Sequence, residues 1–186
     1  NKNFIYINII LFIFLFIPSF NYAKEILIYA DNISYDSEEN IIARGNAKIF
    51  QDNQLIVSDL IIYKKTEEKI ILPSKFVLKD ENNNFYEGEN GYFLKNLSFS
   101  QFDNPKIRLN DGSRLIGKKI KREGHIDIIS KGVYSPCKSR IKIGNFICPT
   151  WQLEGEKILH DNKNLFLYQK HSKMRVINTP VFYIPY

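Results

Sequence analysis

Apolar and polar residues alternate along most of the chain beyond residue 24, which is the pattern of β-strands with one buried and one solvated face. Between Ile41 and Ile49 every odd position is apolar or glycine, whereas positions 44, 46 and 48 are polar. Residues 69 to 79 alternate in the same way, apart from Ile71 and Val77. Nothing here follows a helical period for more than a turn or two. The pattern predicts an all-β protein.

A unit of about 28 residues repeats along this region. Asp31 and Tyr35 are followed, about 28 residues later, by Asp59 and Tyr63 in a similar apolar context. Weaker copies follow at Glu87–Phe93 and Leu115–Ile120. A fixed period carried by short apolar segments predicts stacked coils of chain, in which each coil buries the apolar face of its neighbour.

Each coil divides again after about 14 residues, since Gly45 follows Asp31 and Pro73 follows Asp59 at that spacing. Two strands per coil would build two facing sheets, so the predicted fold class is a stacked antiparallel β-jellyroll of V-shaped section. Clusters such as 36–40 and 80–84 have the composition of turns. The mixture of small and large inward residues is compatible with an open channel between the sheets and also with a closed core.

The first 23 residues have the three parts of a secretory signal peptide: Lys2, the apolar run Phe4–Ile17, and a polar end with a small residue at Ala23. A transmembrane anchor is the alternative, but the run is shorter than the ~20 residues that span a bilayer, and Pro18 closes it. We therefore predict export, with cleavage after Ala23.

The formal net charge of +6 would suit nucleic acid, a membrane surface or an anionic substrate. Export makes nucleic acid the weakest of these partners and favours an anionic lipid or polysaccharide. The sequence has neither basic–aromatic nucleic-acid motifs nor glycine-rich phosphate loops. We expect no nucleic-acid partner.

Side chains with catalytic or metal-binding chemistry are few and scattered. His125, His160 and His171 share no metal-ligand spacing and have no cysteine within four residues, which predicts surface or packing roles, no metal site and no cofactor. Asp31 and Asp59 recur at equivalent points of two coils. They could be paired acids for glycoside cleavage, or structural residues at the starts of strands. The structural role is favoured because nothing places a second acid opposite them. We expect no enzyme.

Cys137 and Cys148 are the only cysteines, and in an exported chain both are disulfide candidates. They could close a short loop together, or each could bond to a cysteine elsewhere. From residue 151 the repeat is no longer recognisable. The chain ends in the aromatic segment Pro180–Tyr186, whose composition is typical of residues near a membrane interface. Because a lone strand cannot cross a bilayer, either more chain follows or this end folds back on the domain.

Several segments together resemble the N-terminal part of the OstA family of outer-membrane lipopolysaccharide-assembly proteins. They are the signal peptide, the repeat from Ala30–Asp36 to Ala43–Ala47 and, most specifically, Trp151–Leu153 and Pro180–Tyr186. The resemblance runs over nearly the whole chain but does not include the β-barrel of that family. It implies a signal peptide over 1–23, a periplasmic jellyroll over 24–150, and a linker with the start of an outer-membrane β-barrel over 151–186.

The resemblance also implies transport rather than catalysis, with the domain receiving lipopolysaccharide and passing its acyl chains along an apolar groove toward a barrel translocon. Inward positions of the first coils would line this lipid-binding groove: Ile41, Ala43, Ala47, Ile49, Ile61, Tyr63, Ile70, Leu72, Phe76 and Leu78. Each buried CH₂ group would contribute about 0.8 kcal/mol, enough to hold an acyl chain that still slides.

The partners implied by the family are lipopolysaccharide, the outer membrane, and a periplasmic bridge protein that adds a β-strand to an open sheet edge. A plug lipoprotein joins them if the barrel is present. In that family, cysteines of the N-terminal domain pair with cysteines near the end of the barrel, and Cys137 and Cys148 are candidates for that pairing. The implied location is the outer membrane, with this domain facing the periplasm.

Two other functions stay open at this point. A soluble periplasmic bridge protein of the same superfamily would share the repeat and the apolar interior. A carbohydrate-active β-solenoid would need acids clustered on one outer face, which the sequence does not show.

Overall fold

The structure, a computed structural model, describes residues 26–185 except 52, 95–97, 137–139, 144, 145 and 178, and for residues 140–143 and 146–149 it describes the backbone alone. The predicted signal peptide, Cys137 and the side chain of Cys148 thus lie outside what is described. Every regular element of the described residues is a β-strand, which confirms the all-β prediction. The strands are β1 (Ile26–Tyr29), β2 (Asn32–Tyr35), β3 (Ile41–Gln51), β4 (Gln54–Lys64), β5 (Lys69–Leu72), β6 (Phe76–Lys79), β7 (Phe85–Leu94), β8 (Phe99–Arg108), β9 (Arg114–Ile116), β10 (Lys119–Glu123), β11 (Ile126–Ser135), β12 (Arg140–Ile143), β13 (Phe146–Pro149), β14 (Trp151–Asp161), β15 (Phe166–Lys170), β16 (Ser172–Val176) and β17 (Thr179–Ile184).

Fifteen of these strands form one antiparallel sheet, and β12 pairs with β13 in a separate two-stranded sheet. The long strands β3, β4, β7, β8, β11 and β14 change partner midway. For example, β4 pairs with β6 through Leu55–Ser58 and with β5 through Ile62–Lys64. The change of partner divides the large sheet into two halves that the long strands connect.

We call these halves half-sheet I, which contains β1, β6, β9, β16 and β17, and half-sheet II, which contains β2, β5, β10 and β15. The two halves face each other across the interior. Phe76 of half-sheet I meets Phe93 and Phe102 of half-sheet II edge to face, with ring centroids 5.4 and 5.1 Å apart. The result is the predicted jellyroll of two facing sheets.

The chain passes from one half-sheet to the other about every 14 residues, at Asp31, Gly45, Asp59, Pro73, Asn90, Asn104, Gly117 and Lys131. Several bends carry a left-handed residue, including Gly45 with φ 74° and Asn104 with φ 49°. Glycine and asparagine adopt this region more readily than other residues, and the bulge they form turns the strand. Two passes make one coil, so the predicted period of about 28 residues is confirmed.

Side chains alternate between the interior and solvent as the sequence predicts. In β3, Ala43, Ala47 and Ile49 are buried, whereas Arg44 and Lys48 are exposed. Buried apolar residues of both half-sheets join in a single cluster that runs from the first coil to Ile158 in β14. Close packing of these side chains stabilises the contact between the half-sheets.

The stack of strands continues past residue 150. Strand β14 pairs with β11 along both halves, and β15, β16 and β17 extend the half-sheets beyond it. The predicted boundary between a jellyroll and a barrel-leading segment therefore falls within continuous pairing, and the start of a barrel in residues 151–186 stays a prediction. In the described part of the chain, no helix is long and apolar enough to cross a membrane.

Candidate functional site

The ten side chains predicted to line a lipid groove lie together in the interior of the first coils. Eight of them belong to the buried cluster and are 0–3% exposed: Ala43, Ala47, Ile49, Ile61, Ile70, Leu72, Phe76 and Leu78. Ile41 and Tyr63 are half-buried and oppose each other across β3 and β4. The half-sheets are in contact here. Of the open channel and the closed core that the sequence allows, the structure has the closed core. Its use as a lipid groove stays a prediction.

Phe76 is the centre of this interior, because its ring contacts both Phe93 and Phe102 of the opposite half-sheet. The approach depends on small residues at the bend of β7. A Cβ atom on Gly88 would lie 2.3 Å from Cδ2 of Phe102, and one on Gly91 would lie 2.8 Å from Cε1 of Phe76. The glycines thus set how closely the half-sheets meet.

The interior reaches solvent at the first coil. Ile33 and Tyr35 of β2 oppose Ala43 and Ile41 and therefore point inward, yet they are 44% and 66% exposed. Within the described residues, β1 and β2 pair with β3 alone, so each half-sheet ends in a free strand edge. In the described part of the chain, an apolar interior and two unpaired strand edges are thus presented at the same end.

A buried ion pair lies on the inward face of the later coils. Nε of Arg122 donates to Oδ1 of Asp127 at 2.6 Å, and Nη2 donates to Oδ2 at 2.9 Å. The Asp127 side chain is 0% exposed and that of Arg122 is 12% exposed. Arg122 also lines a hollow of about 460 Å³, which opens between the turns of the two half-sheets.

Groups around the pair hold Asp127 in its charged form. Burial alone would raise the pKa of Asp127, but the Arg122 guanidinium and a hydrogen bond from Asn162 Nδ2 at 2.9 Å hold it well below its usual range. His160 Nδ1 lies 3.7 Å from Asp127 Oδ2, which is too long for a hydrogen bond. The Arg122 guanidinium stacks 4.7 Å from the ring of Tyr86 in half-sheet I. The pair therefore connects the two half-sheets by polar contacts.

The period of two contains the signal for this ion pair, although the sequence analysis missed it. Arg122 lies two residues after the buried Ile120, and Asp127 lies two residues before the buried Ile129. Gly124 and His125 form the tight turn that sets Arg122 opposite Asp127. Two opposite charges on the inward face of a hairpin indicate a paired, buried site.

The predicted turns are built on one recurring contact between an aspartate and an asparagine. Asp36 Oδ1 accepts from the backbone N–H of Asn40, and Asp80 Oδ1 accepts from that of Asn84 at 2.8 Å. In both turns the asparagine Nδ2 also donates to the second carboxylate oxygen. The hydrogen bonds from Asn40 lower the pKa of Asp36. These aspartates have a structural role.

Asp31 is structural as well, as the sequence indicates. Its Oδ2 accepts from Asn46 Nδ2 at 2.8 Å, and its N–H donates to the carbonyl of Gly45, which fixes the bend between β1 and β2.

Among the histidines, His125 is exposed, His160 is buried, and His171 contacts the hydroxyl of Tyr183 at 3.2 Å. The residues that the structure describes contain no group of three or more His, Cys, Asp or Glu able to hold a metal ion. The disulfide predictions stay untested, since they concern Cys137 and the side chain of Cys148.

No protein-family model matches the chain. In sequence it is similar to the LPS-assembly protein LptD of Francisella tularensis: it is 24% identical to that of subspecies holarctica strain OSU18 and 23% identical to that of subspecies novicida strain U112, over 178 residues. Each alignment covers 82% of this chain and 19% of the relative. The chain thus spans about a fifth of the length of the curated relatives it matches.

Among solved structures, LptH from Pseudomonas aeruginosa, the LptA homologous periplasmic component of a lipopolysaccharide transport device, aligns with 82% of this chain and 95% of LptH, with 12% identity and a TM-score of 0.31. A TM-score this low supports no conclusion. The similarity in sequence confirms the resemblance to outer-membrane LPS-assembly proteins, and this chain is similar to part of LptD.

Proposed function

We propose that this chain is the periplasmic part of a lipopolysaccharide-assembly protein, which receives lipopolysaccharide and passes its acyl chains along the interior between the half-sheets. The observation that carries the proposal is the apolar interior that reaches solvent at the first coil, in a chain similar in sequence to LptD. The role is transport, not catalysis.

The packed interior sets the energetic condition for this transport. An acyl chain enters only if half-sheets I and II separate, which breaks contacts such as those of Phe76 with Phe93 and Phe102. Each CH₂ group that replaces such contacts contributes about 0.8 kcal/mol. Apolar side chains make no directional bonds to the ligand, so a bound chain slides along the coils. Separation of the half-sheets would start at Ile33 and Tyr35, where the interior is already exposed.

The free edges of β1 and β2 suit a partner that adds strands to both half-sheets. A periplasmic bridge protein with the same stacked coils would extend the interior without interruption. In this arrangement the chain functions at the outer membrane and faces the periplasm, and a plug lipoprotein would bind only to a barrel that follows it.

Neighbouring positions with opposite orientations provide the test. A photo-crosslinking residue in place of Ile49 or Phe76, both inward, is expected to capture lipopolysaccharide when the purified protein is irradiated with it. The matched outward positions are Lys48 and Lys75, one residue away in each case, where no capture is expected. Far-UV circular dichroism checks that each variant keeps its β-structure. Capture from Lys48 and Lys75 alone would overturn the assignment of the interior.

The soluble bridge protein remains the second candidate, because the stacked coils and free edges suit it equally. The coding sequence downstream of Tyr186 separates the two. Several hundred residues of alternating strands of about ten residues would support the assembly protein, whereas a stop codon directly after Tyr186 would support the bridge protein.

A further inference from the structure

An exposed patch on the outer face of half-sheet II combines lysines with large apolar side chains. It lies at the opposite end of the stack from β1 and β2, and we call it the β15 patch: Lys119, Lys121, Lys157, Phe166, Tyr168 and Lys170. These side chains point away from the interior, since their neighbours Ile120, Ile158 and Leu167 face the core.

Three lysines of the β15 patch lie in one row across neighbouring strands, where their like charges repel one another. Lys157 of β14 lies directly opposite Lys170 of β15, which is destabilising for like charges on adjacent strands. Ser130 separates Lys157 from Lys119 in the same cross-strand row. Folding thus concentrates positive charge on one row of the sheet.

These lysines surround a hollow of about 450 Å³. Two of them have acidic neighbours, since Lys119 lies 3.5 Å from Asp103 and Lys121 lies 2.5 Å from Glu123. Glu156 also lines the hollow, but Lys157 and Lys170 form no ion pair with any residue that the structure describes. An anionic group in the hollow would relieve the repulsion between these two lysines.

The apolar part of the patch is held out in solvent next to a hydrogen-bonded turn. Phe166 and Tyr168 are 58% and 59% exposed, their rings lie 6.2 Å apart, and the preceding Leu165 is 82% exposed. The carboxylate of Asp161 fixes this turn by accepting from the backbone N–H groups of residues 163 and 164. Aromatic side chains beside lysines are typical of surfaces that bind the membrane interface.

We propose that the β15 patch docks on the surface of an anionic lipid bilayer, with its lysines on lipid phosphates and Phe166 and Tyr168 in the headgroup region. Charge complementarity favours this partner over a second copy of the chain, because lysine at a sheet edge opposes strand pairing. Docking uses the outer face and does not depend on lipid transport through the interior.

Vesicle sedimentation with the purified protein tests the proposal. Binding is expected to vesicles of phosphatidylcholine and phosphatidylglycerol in equal parts, to weaken as salt is raised, and to be absent with phosphatidylcholine alone. The double variant Lys157→Gln/Lys170→Gln is expected to bind about thirty-fold more weakly. Its melting temperature should stay the same or rise, because the like-charge repulsion is gone. With an unchanged or higher melting temperature, a loss of vesicle binding in this variant cannot be attributed to unfolding.

The matched control is Lys48→Gln/Lys106→Gln, which removes two exposed lysines from the outer face of half-sheet I and is expected to bind like the unaltered protein. Phe166→Ser/Tyr168→Ser should weaken binding about tenfold if the rings enter the headgroup region. Equal losses in the control and the Lys157/Lys170 variant, or equal binding to neutral vesicles, would overturn the proposal. So would a concentration-dependent dimer that depends on Phe166 and Tyr168 without vesicle binding.

Discussion

The ion pair between Arg122 and Asp127 provides a quantitative test of how polar groups stabilise the interior. Asp127→Asn keeps the side-chain volume but leaves the Arg122 guanidinium, which is 12% exposed, without its counter-charge. Removing one partner of a buried pair destabilises a protein by about 3–5 kcal/mol. An asparagine oxygen can still accept one hydrogen bond from Arg122, so we expect a loss near the lower limit, about 3 kcal/mol.

Arg122→Met should be the more damaging change, because it leaves a carboxylate that is 0% exposed with only polar neighbours. We expect a loss of about 4–5 kcal/mol. The double variant Arg122→Met/Asp127→Leu removes both charges. Its free energy of unfolding should lie within about 1 kcal/mol of that of the unaltered protein, because apolar residues often replace a buried ion pair without loss of stability. The two single losses would thus be far from additive.

Urea unfolding followed by circular dichroism measures the free energy of unfolding of all four proteins. Equal denaturant slopes would show that the comparison concerns native-state stability rather than a change in the unfolded chain. The reasoning is refuted if either single variant is within about 1 kcal/mol of the unaltered protein, or if the double variant loses the sum of the two single losses.

Three further predictions concern pH and packing. The folded pKa of Asp127 lies below its ordinary value of 3.8, so its stabilising contribution is present above about pH 4 and is lost as the pH falls toward the folded pKa; acid unfolding curves of Asp127→Asn should lack this component. Phe76→Ala should lower the free energy of unfolding by about 3–5 kcal/mol in urea titrations, because the cavity lies between two aromatic rings, whereas a loss below about 1 kcal/mol would contradict the central position of Phe76. Gly88→Ala should lower the melting temperature through about 1–3 kcal/mol of overpacking against Phe102. Gly155→Ala, which likewise has no left-handed backbone and whose added Cβ would meet no atom nearer than 3.3 Å, is the matched control and should lower the melting temperature less.

Much of the fold follows from two periods in the sequence. The period of two separates Ala43, Ala47 and Ile49 from Arg44 and Lys48, because alternate side chains of a strand face opposite sides. The step of about 14 residues marks where the chain changes half-sheet, because left-handed residues such as Gly45 and Asn104 bend the strand there.

The parts that were not predicted depend on long-range register. The sequence does not show that β4 exchanges β6 for β5 midway along its length, since both short strands are equally apolar. The contact of Arg122 with Tyr86 is a further example, because it joins residues from different coils and different half-sheets. Eight of the residues proposed for the groove are buried in one cluster, but their alternation alone could not show that the half-sheets would close on one another, and their role as a lipid groove stays a prediction.

The step of about 14 residues also makes the length of the stack proportional to the number of coils. Each coil adds two strands to each half-sheet, so at the usual strand spacing one coil lengthens the molecule by about 10 Å. Gaining or losing a whole coil would change the reach of the chain in fixed increments, because each coil contacts only its neighbours in the stack. The β12–β13 hairpin shows that extra chain is accommodated outside this scale, since it is inserted while β11 and β14 stay paired as direct neighbours. Distance along the molecule is therefore counted in coils, and loops at the turns can vary without changing it.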